Sequence, residues 1–308
     1  TPSITKITLN LKPTRWFEFN YFHGWLVSDV IDSSRSYFVP GNSGATYVRV
    51  YHQKYLAANM FTFTPFRNLN ISVGNSIIYS DIGVHPAYLI PVFFFKGIDH
   101  TLSGYSDNMN SQMYLDISSR NLRHLHLYGT MFVDEVNIGN MFTDSLQSNF
   151  FSWKLGARLS DYPLENISLT AEYTRSNPLV FKHYLLTTNF ESNKYNLGHY
   201  LTDNAQEIYM NLQYKPIRGL VIDLWWLYAQ KGPDYTELAT ERLGRPFMKT
   251  VEWENNTFGL KGRYEIINDG YIYAGFEFSN ISGDVNIYTD EMWHGKTSTV
   301  SVGINFGF

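Results

Sequence analysis

Apolar and polar positions alternate along most of the chain, most cleanly at its end. Val300, Val302, Ile304, Phe306 and Phe308 share one face of an extended segment, and Thr299, Ser301, Gly303, Asn305 and Gly307 share the other. Period two is the signature of a strand with one buried or lipid-facing side. The same pattern recurs upstream. Leu125, Leu127, Met131 and Val133 oppose His124, His126, Tyr128, Thr130 and Asp134, and Phe258, Leu260, Tyr264 and Ile266 oppose Lys261, Arg263 and Glu265. The pattern predicts thirteen strands, at about 4–12, 15–27, 54–64, 68–80, 110–119, 123–135, 150–160, 165–177, 205–215, 219–230, 252–267, 270–282 and 296–308.

The connections predict the architecture. Tight ones fall at Lys12-Pro13-Thr14, Phe66-Arg67-Asn68, Arg120-Asn121-Leu122, Tyr162-Pro163-Leu164, Pro216-Ile217-Arg218 and Asn268-Asp269-Gly270. They are rich in the Asn, Asp, Gly and Pro that tight turns demand. Long ones, near 28–53, 81–109, 136–149, 178–204, 231–251 and 283–295, alternate strictly with them. Short turns on one side and long loops on the other are the asymmetry of bacterial outer-membrane barrels. The expectation is an all-β, transmembrane, antiparallel up-and-down β-barrel, a single domain over 1–308, located in the cell outer membrane. Such barrels have even strand counts with both ends on the turn side. Thirteen strands therefore predict a complete barrel of about 14 or more strands, up to 18, whose native N-terminal strand or strands this sequence lacks. The alternative is a further strand inside 28–53, where Tyr47-Val48-Arg49-Val50-Tyr51 also alternates.

Composition agrees. Of 308 residues, 17% are aromatic, from 23 Tyr, 22 Phe and 7 Trp, which suits two interfacial aromatic girdles. Mean hydropathy is −0.24, and alternation explains how a membrane protein can average mildly polar. The longest apolar run, Ala87 to Phe95, is broken by Pro91, far short of the roughly 20 residues of a spanning helix. The chain has no cysteine, which excludes disulfides and thiolate metal sites. A net charge of −4 with no basic stripe argues against nucleic acid.

Chemistry is sparse. The polar face carries residues of both signs, among them Asn110, Gln112, Asp116, Lys154, Arg158, Glu172, Asp223 and Glu277, as expected of a lumen crossed by polar networks. His124 and His126, two apart, would both face inward with Asp134. That spacing is a weak metal or acid–base signal, and no serine has a nucleophile's context, so no catalytic residue, metal or cofactor is assigned. The loops carry more. Segment 83–99 is apolar enough to require cover, and is expected to fold against the barrel mouth or lumen. Segment 28–53 holds Asp29, Asp32, Arg35, Tyr37, Arg49, Tyr51 and His52, charged and aromatic groups suited to hydrogen bonding and stacking on sugars.

Several pieces together resemble the Wzi family of outer-membrane capsule-assembly proteins. They are Ser76-Ile77-Ile78-Tyr79, Pro86 to Phe94, Ser106-Asp107-Asn108-Met109-Asn110, Leu127 to Glu135, and Tyr195 to Leu201 with Asp203-Asn204-Ala205. Ile90 stands where the family's loop has Asn before proline. The resemblance implies a non-enzymatic barrel with a plugged lumen that binds or anchors surface polysaccharide. The candidate ligand-binding set is Asp29, Arg35, Tyr37, Tyr51, Tyr88, Asp107, Asn108 and Asp134. Expected partners are outer-membrane lipid, surface polysaccharide and other outer-membrane proteins. The competing readings are a scaffold subunit of a larger outer-membrane complex and a diffusion channel.

Overall fold

The computed structural model describes residues 4–41, 44–102, 108–136, 149–236, 245–284 and 287–307. Phe308 and Asp107 lie outside them.

The thirteen expected strands form one antiparallel sheet. In chain order its members are β1 (Thr5–Leu11), β2 (Phe17–Ile31), β5 (Tyr51–Phe66), β6 (Leu69–Ser80), β7 (Met109–Leu122), β8 (Leu125–Val136), β9 (Asn149–Ser160), β10 (Ile167–Ser176), β13 (Ala205–Tyr214), β14 (Leu220–Lys231), β15 (Trp253–Ile267), β16 (Gly270–Gly283) and β17 (Gly295–Phe306). Each neighbours the next, so the topology is up-and-down throughout, with β1 and β17 at the two ends of the order. Of the alternating segment suspected inside 28–53, Tyr51 begins β5, Arg49 and Val50 lie between strands, and Tyr47 and Val48 only close a short strand, β4 (Gly44–Val48). It pairs with β3 (Tyr37–Gly41) as a separate hairpin and leaves the main sheet at thirteen. A second small hairpin joins β11 (Glu191–Ser192) to β12 (Tyr195–Asn196).

Register carries one apolar face across the whole wall. Directly opposed residues point to the same side. The pairs Ile7–His23, Phe19–Phe61, Val73–Leu115, Met131–Trp153, Ala171–Met210, Leu224–Leu260 and Phe276–Val300 are linked strand by strand into a single outward surface. Its aromatic rims are Tyr214, Tyr264 and Phe306 at the turn end and Trp153, Tyr173, Trp226 and Tyr228 at the loop end. The opposite face carries Asp116, Lys154, Arg158, Glu172, Asp223, Lys261 and Glu277, as a lumen should. Lipid cannot hydrogen-bond the backbone, so a wall whose strands satisfy one another is one of the few structures that can cross it.

The structure corrects one turn. The β7–β8 connection is Arg123–His124, with His124 at φ 64, and not Arg120–Leu122. His124 therefore leaves the strand, and its Nδ1 meets the Ser160 carbonyl at 2.9 Å. His126 alone faces the lumen and contacts Ser118 Oγ at 2.9 Å. The inward His124–His126 pair does not exist, because the positive-φ turn rotates one member away.

Two long segments fold back on the wall, on opposite faces. Residues 177–204 cross the lumen side. Leu179, Val180 and Phe181 pack with Phe150 and Phe132, and Phe190 and Leu197 pack on Leu26, Leu56 and Ile78. Thr187 Oγ1 accepts from Ser80 Oγ at 3.0 Å, and the Asn193 N–H donates to Val27 O at 2.8 Å. Gly198 is required here, since a Cβ would meet the Phe181 ring at 2.3 Å. This segment is a plug. Residues 81–102, expected at the barrel mouth or in the lumen, instead lie against the outward face, where Tyr88 and Phe95 pack with Tyr79 and Met109 and the amides of Asn59 and Asn75 meet the segment's backbone.

Candidate functional site

The first candidate site is the loop-side rim at the base of the β3–β4 hairpin. As β2 ends, Asp32 caps a local turn. Its Oδ1 accepts from Ser34 N at 2.9 Å, Ser34 Oγ at 2.6 Å and Arg35 N at 3.2 Å, the turn chemistry Asp favours. The Ser34 hydroxyl, then the Arg35 guanidinium, hold its carboxyl well below the usual carboxylate range. Arg35 Nε pairs with Asp32 Oδ2, and its Nη2 reaches Tyr51 O at 3.3 Å and Asp81 Oδ1 at 3.4 Å. His52 Nδ1 donates to Asp81 Oδ2 at 2.6 Å. Above this base the hairpin exposes its aromatics. Tyr37 is 54% exposed and Phe38 is 68% exposed, with the Phe38 and Tyr47 rings 4.9 Å apart. Flat apolar rings beside fixed charged donors and acceptors can stack on and hydrogen-bond a polyhydroxylated ligand.

Of the eight residues expected to bind ligand, the structure gathers three here, Arg35, Tyr37 and Tyr51. Asp29 lies elsewhere, in electrostatic range of Lys54 along with Glu191 of the plug. Asn108, half-buried, accepts the Ser80 N–H at its carbonyl, at 3.0 Å. Asp134 is buried near the loop end of β8. Tyr88 is no exposed platform. It is fully buried against Tyr79 at 4.6 Å and Phe95 at 6.0 Å, and its hydroxyl donates to Met109 Sδ at 2.6 Å. An apolar loop with backbone to satisfy spends its best aromatic on its own anchorage. Sequence reading missed Asp81, Phe38 and Tyr47. The alternation of β3 could have flagged Phe38, but nothing local marks Asp81, which meets Arg35 only through the fold.

A second candidate is a lumen cavity of about 600 Å³ under the plug, lined by Tyr114, Asp116, Lys154, Thr174, Phe181 and His199. Lys154 Nζ bonds Glu172 Oε2 at 3.2 Å, and the Tyr128 hydroxyl donates to the same carboxylate. Burial, then the Lys154 charge, push His199 down to about 4, so the imidazole is neutral at pH 7. At 3.9 Å from Glu207 Oε1 it makes no ion pair there.

A pH effect follows. In the unfolded chain His199 titrates near its ordinary value, so between about pH 6.5 and 4 the unfolded state binds the extra proton. This contribution to stability is complete above that window and is lost as pH falls through it. Thermal unfolding at pH 7.5 and 4.5 should show a smaller acid loss for His199→Gln than for the parent; equal losses would refute the assignment.

No protein-family model matches the chain, and no curated protein matches it by sequence. Among solved structures, the chain is similar to Wzi of Escherichia coli, an outer-membrane protein involved in group 1 capsule assembly and described as a carbohydrate-binding β-barrel. Identity is 11% and the TM-score 0.57, over 95% of this chain and 56% of that one. It is also similar to OccD3 (OpdP) of Pseudomonas aeruginosa, at 12% identity and a TM-score of 0.52, over 98% of this chain and 67% of that one. The chain thus spans little more than half the length of the first. At such identities the likeness carries the fold, and the fold is that of an outer-membrane β-barrel protein.

Proposed function

We propose that this single-domain barrel is a non-enzymatic binder of surface polysaccharide, with the β3–β4 rim as its binding face. The observation that carries the reading is the exposed hairpin, which pairs the Phe38 and Tyr47 rings 4.9 Å apart on one face and exposes Tyr37 on the other, above a base where a guanidinium is held between Asp32 and Asp81. Exposed apolar side chains that cluster, as Phe38 and Tyr47 do, mark interaction surfaces. Sugar rings offer apolar faces for such side chains, and their hydroxyls suit Arg35, Asp81 and His52. The likeness to a carbohydrate-binding barrel supports the same reading. The packing of residues 177–204 against the lumen side of the wall supports a binder over an open diffusion channel.

The test is binding of the detergent-purified protein to the producing cell's own surface polysaccharide, with an unrelated polysaccharide as control. Saturable binding of the native polymer alone is expected. Phe38→Ala with Tyr47→Ala, which removes the two rings that share a face, should weaken it about tenfold or more, taking stacking at about 1 kcal/mol per ring. Equal binding by parent and double variant would remove the rim from the site. No binding to either polymer would favour the scaffold reading, and copurifying proteins would then be the next measurement.

A further inference from the structure

Residues 81–102 lie outside the barrel wall and dip toward the membrane. The segment leaves β6 at Ser80 and makes a 3-10 turn at Pro86–Leu89, where Tyr88 seats beside Tyr79 and Met109. It then descends. Asn59 Nδ2 donates to Pro91 O at 2.9 Å and Phe93 O at 2.8 Å, and the Phe95 N–H donates to Asn75 Oδ1 at 2.7 Å. A helix, α1 (Phe95–Leu102), climbs back, with Asp99 Oδ2 accepting from Ser111 Oγ at 2.9 Å.

The depth of the lowest point can be read from the wall. Asn75 lies seven residues past the positive-φ turn residue Asn68. Tyr173, Trp226 and Phe276 lie seven past the equivalent Asn166, Gly219 and Asp269. Tyr173 and Trp226 belong to the loop-end aromatic rim and Phe276 stands level with them, and the groove under the apex runs on to Val73, two residues nearer the turn, so the apex reaches the outer edge of the apolar band. Its polarity agrees with its depth. Val92 is 62% and Phe94 56% exposed, and Leu89, Ile90 and Phe93 are exposed beside them. The charged or ionisable Lys96, Asp99 and His100 all come after the apex, on the climbing helix. Between the apex and the wall runs an apolar groove of about 370 Å³, lined by Phe61, Val73, Phe94, Met113, Leu115 and Met131. These wall positions belong to the continuous outward face, so the groove opens onto the same hydrocarbon.

We propose that this segment is a lateral membrane element: Val92–Phe94 insert into the outer leaflet, and the groove beneath them holds an acyl chain of an outer-leaflet lipid. Non-strand backbone is tolerated at membrane depth only where its polar groups are satisfied by protein. The two asparagines of the wall do that for the Pro91 and Phe93 carbonyls and the Phe95 N–H.

The cysteine-free chain makes the test clean. Single variants Val92→Cys and Phe94→Cys are labelled with a nitroxide in phosphatidylcholine–phosphatidylglycerol vesicles, with Val302→Cys as the lipid-facing reference and Ile287→Cys as the exposed-loop reference. Collision rates are measured with oxygen, which partitions into hydrocarbon, and with a water-soluble nickel chelate. At positions 92 and 94 the oxygen-to-nickel ratio should match that at 302 and exceed that at 287 several-fold. Nickel access like that at 287 would place the apex in water and overturn the proposal. Exclusion of both reagents would mean a protein covers the apex, and would overturn it equally. For the groove, native mass spectrometry of the vesicle-extracted parent should retain one more phospholipid than Met131→Trp, which fills it. Equal retention would reject the acyl-chain site.

Discussion

Asp203→Ala is expected to free the plug while leaving the barrel folded. Asp203 is fully buried, and its two oxygens do different work: Oδ2 accepts from Leu179 N at 2.8 Å and Oδ1 faces Lys182 Nζ at 3.3 Å. Burial works against the Lys182 charge, but Asp203 and then Asp234 outweigh it and raise its pKa. Lys231 Nζ adds bonds to Leu201 O, Thr202 Oγ1 and Asp203 O. Without the carboxylate, Lys182 and Lys231 lose the buried counter-charge they share, and Lys182 keeps only the exposed Asp234. Removing one partner of a buried pair costs about 3–5 kcal/mol. That would multiply the open population of the plug by on the order of a hundred or more. Tryptic cleavage after Lys182 reports it, because cleavage of a transiently opened segment follows its equilibrium population when reclosure is fast. The heat-dependent shift of the barrel on gels should persist. Asp234→Ala is the comparison. Asp234 is 60% exposed, so its loss should cost only about 0–1 kcal/mol. If Asp203→Ala is cleaved no faster than the parent, the plug is held by something other than this network.

Asn59→Leu combined with Asn75→Leu is expected to detach segment 81–102, although it makes the lipid-facing surface more apolar. On hydropathy alone the substitutions look favourable. Asn75 Nδ2, however, donates to Asn59 Oδ1 at 2.7 Å, orienting the amide that serves Pro91 O and Phe93 O. Removing both leaves two carbonyls and the Phe95 N–H without these partners, each worth about 1–3 kcal/mol when buried. The variant should be cleaved by trypsin after Lys96 far faster than the parent, at unchanged barrel stability. Asn75→Leu alone should lie between them, since Asn59 can still reach the two carbonyls. Protection equal to the parent's in the double variant would mean that packing of Tyr88 and Phe95 suffices.

Both expectations concern what the alternation pattern does not describe. The wall itself was legible. Period-two runs such as Ile272–Phe278 state which side faces out, and turn residues such as Asp269 and Asn68 mark where the chain reverses. The turn at His124 was not legible, because histidine is no turn former by composition and the preceding Asn121 offered a better one. Of the rim, Arg35, Tyr37 and Tyr51 were named from residue type alone. Their partner Asp81 lies forty-six residues from Arg35, a separation at which only the β5–β6 register fixes proximity. Tyr88 misled, since an aromatic in a loop looks the same in sequence whether it waits for a ligand or closes a core.

By itself, then, the sequence determined the strands, their up-and-down order and the apolar outward surface. These follow from a backbone period that each segment carries within about ten residues. The tertiary structure decided where the two long loops go, one into the lumen and one onto the lipid-facing side. That choice rests on single pairings between distant residues, Asp203 with Lys182 in one case and Asn59 with Pro91 and Phe93 in the other. An apolar loop is equally relieved by either face of a wall. Only the polar side chains waiting there to satisfy its backbone distinguish them, and those belong to other strands.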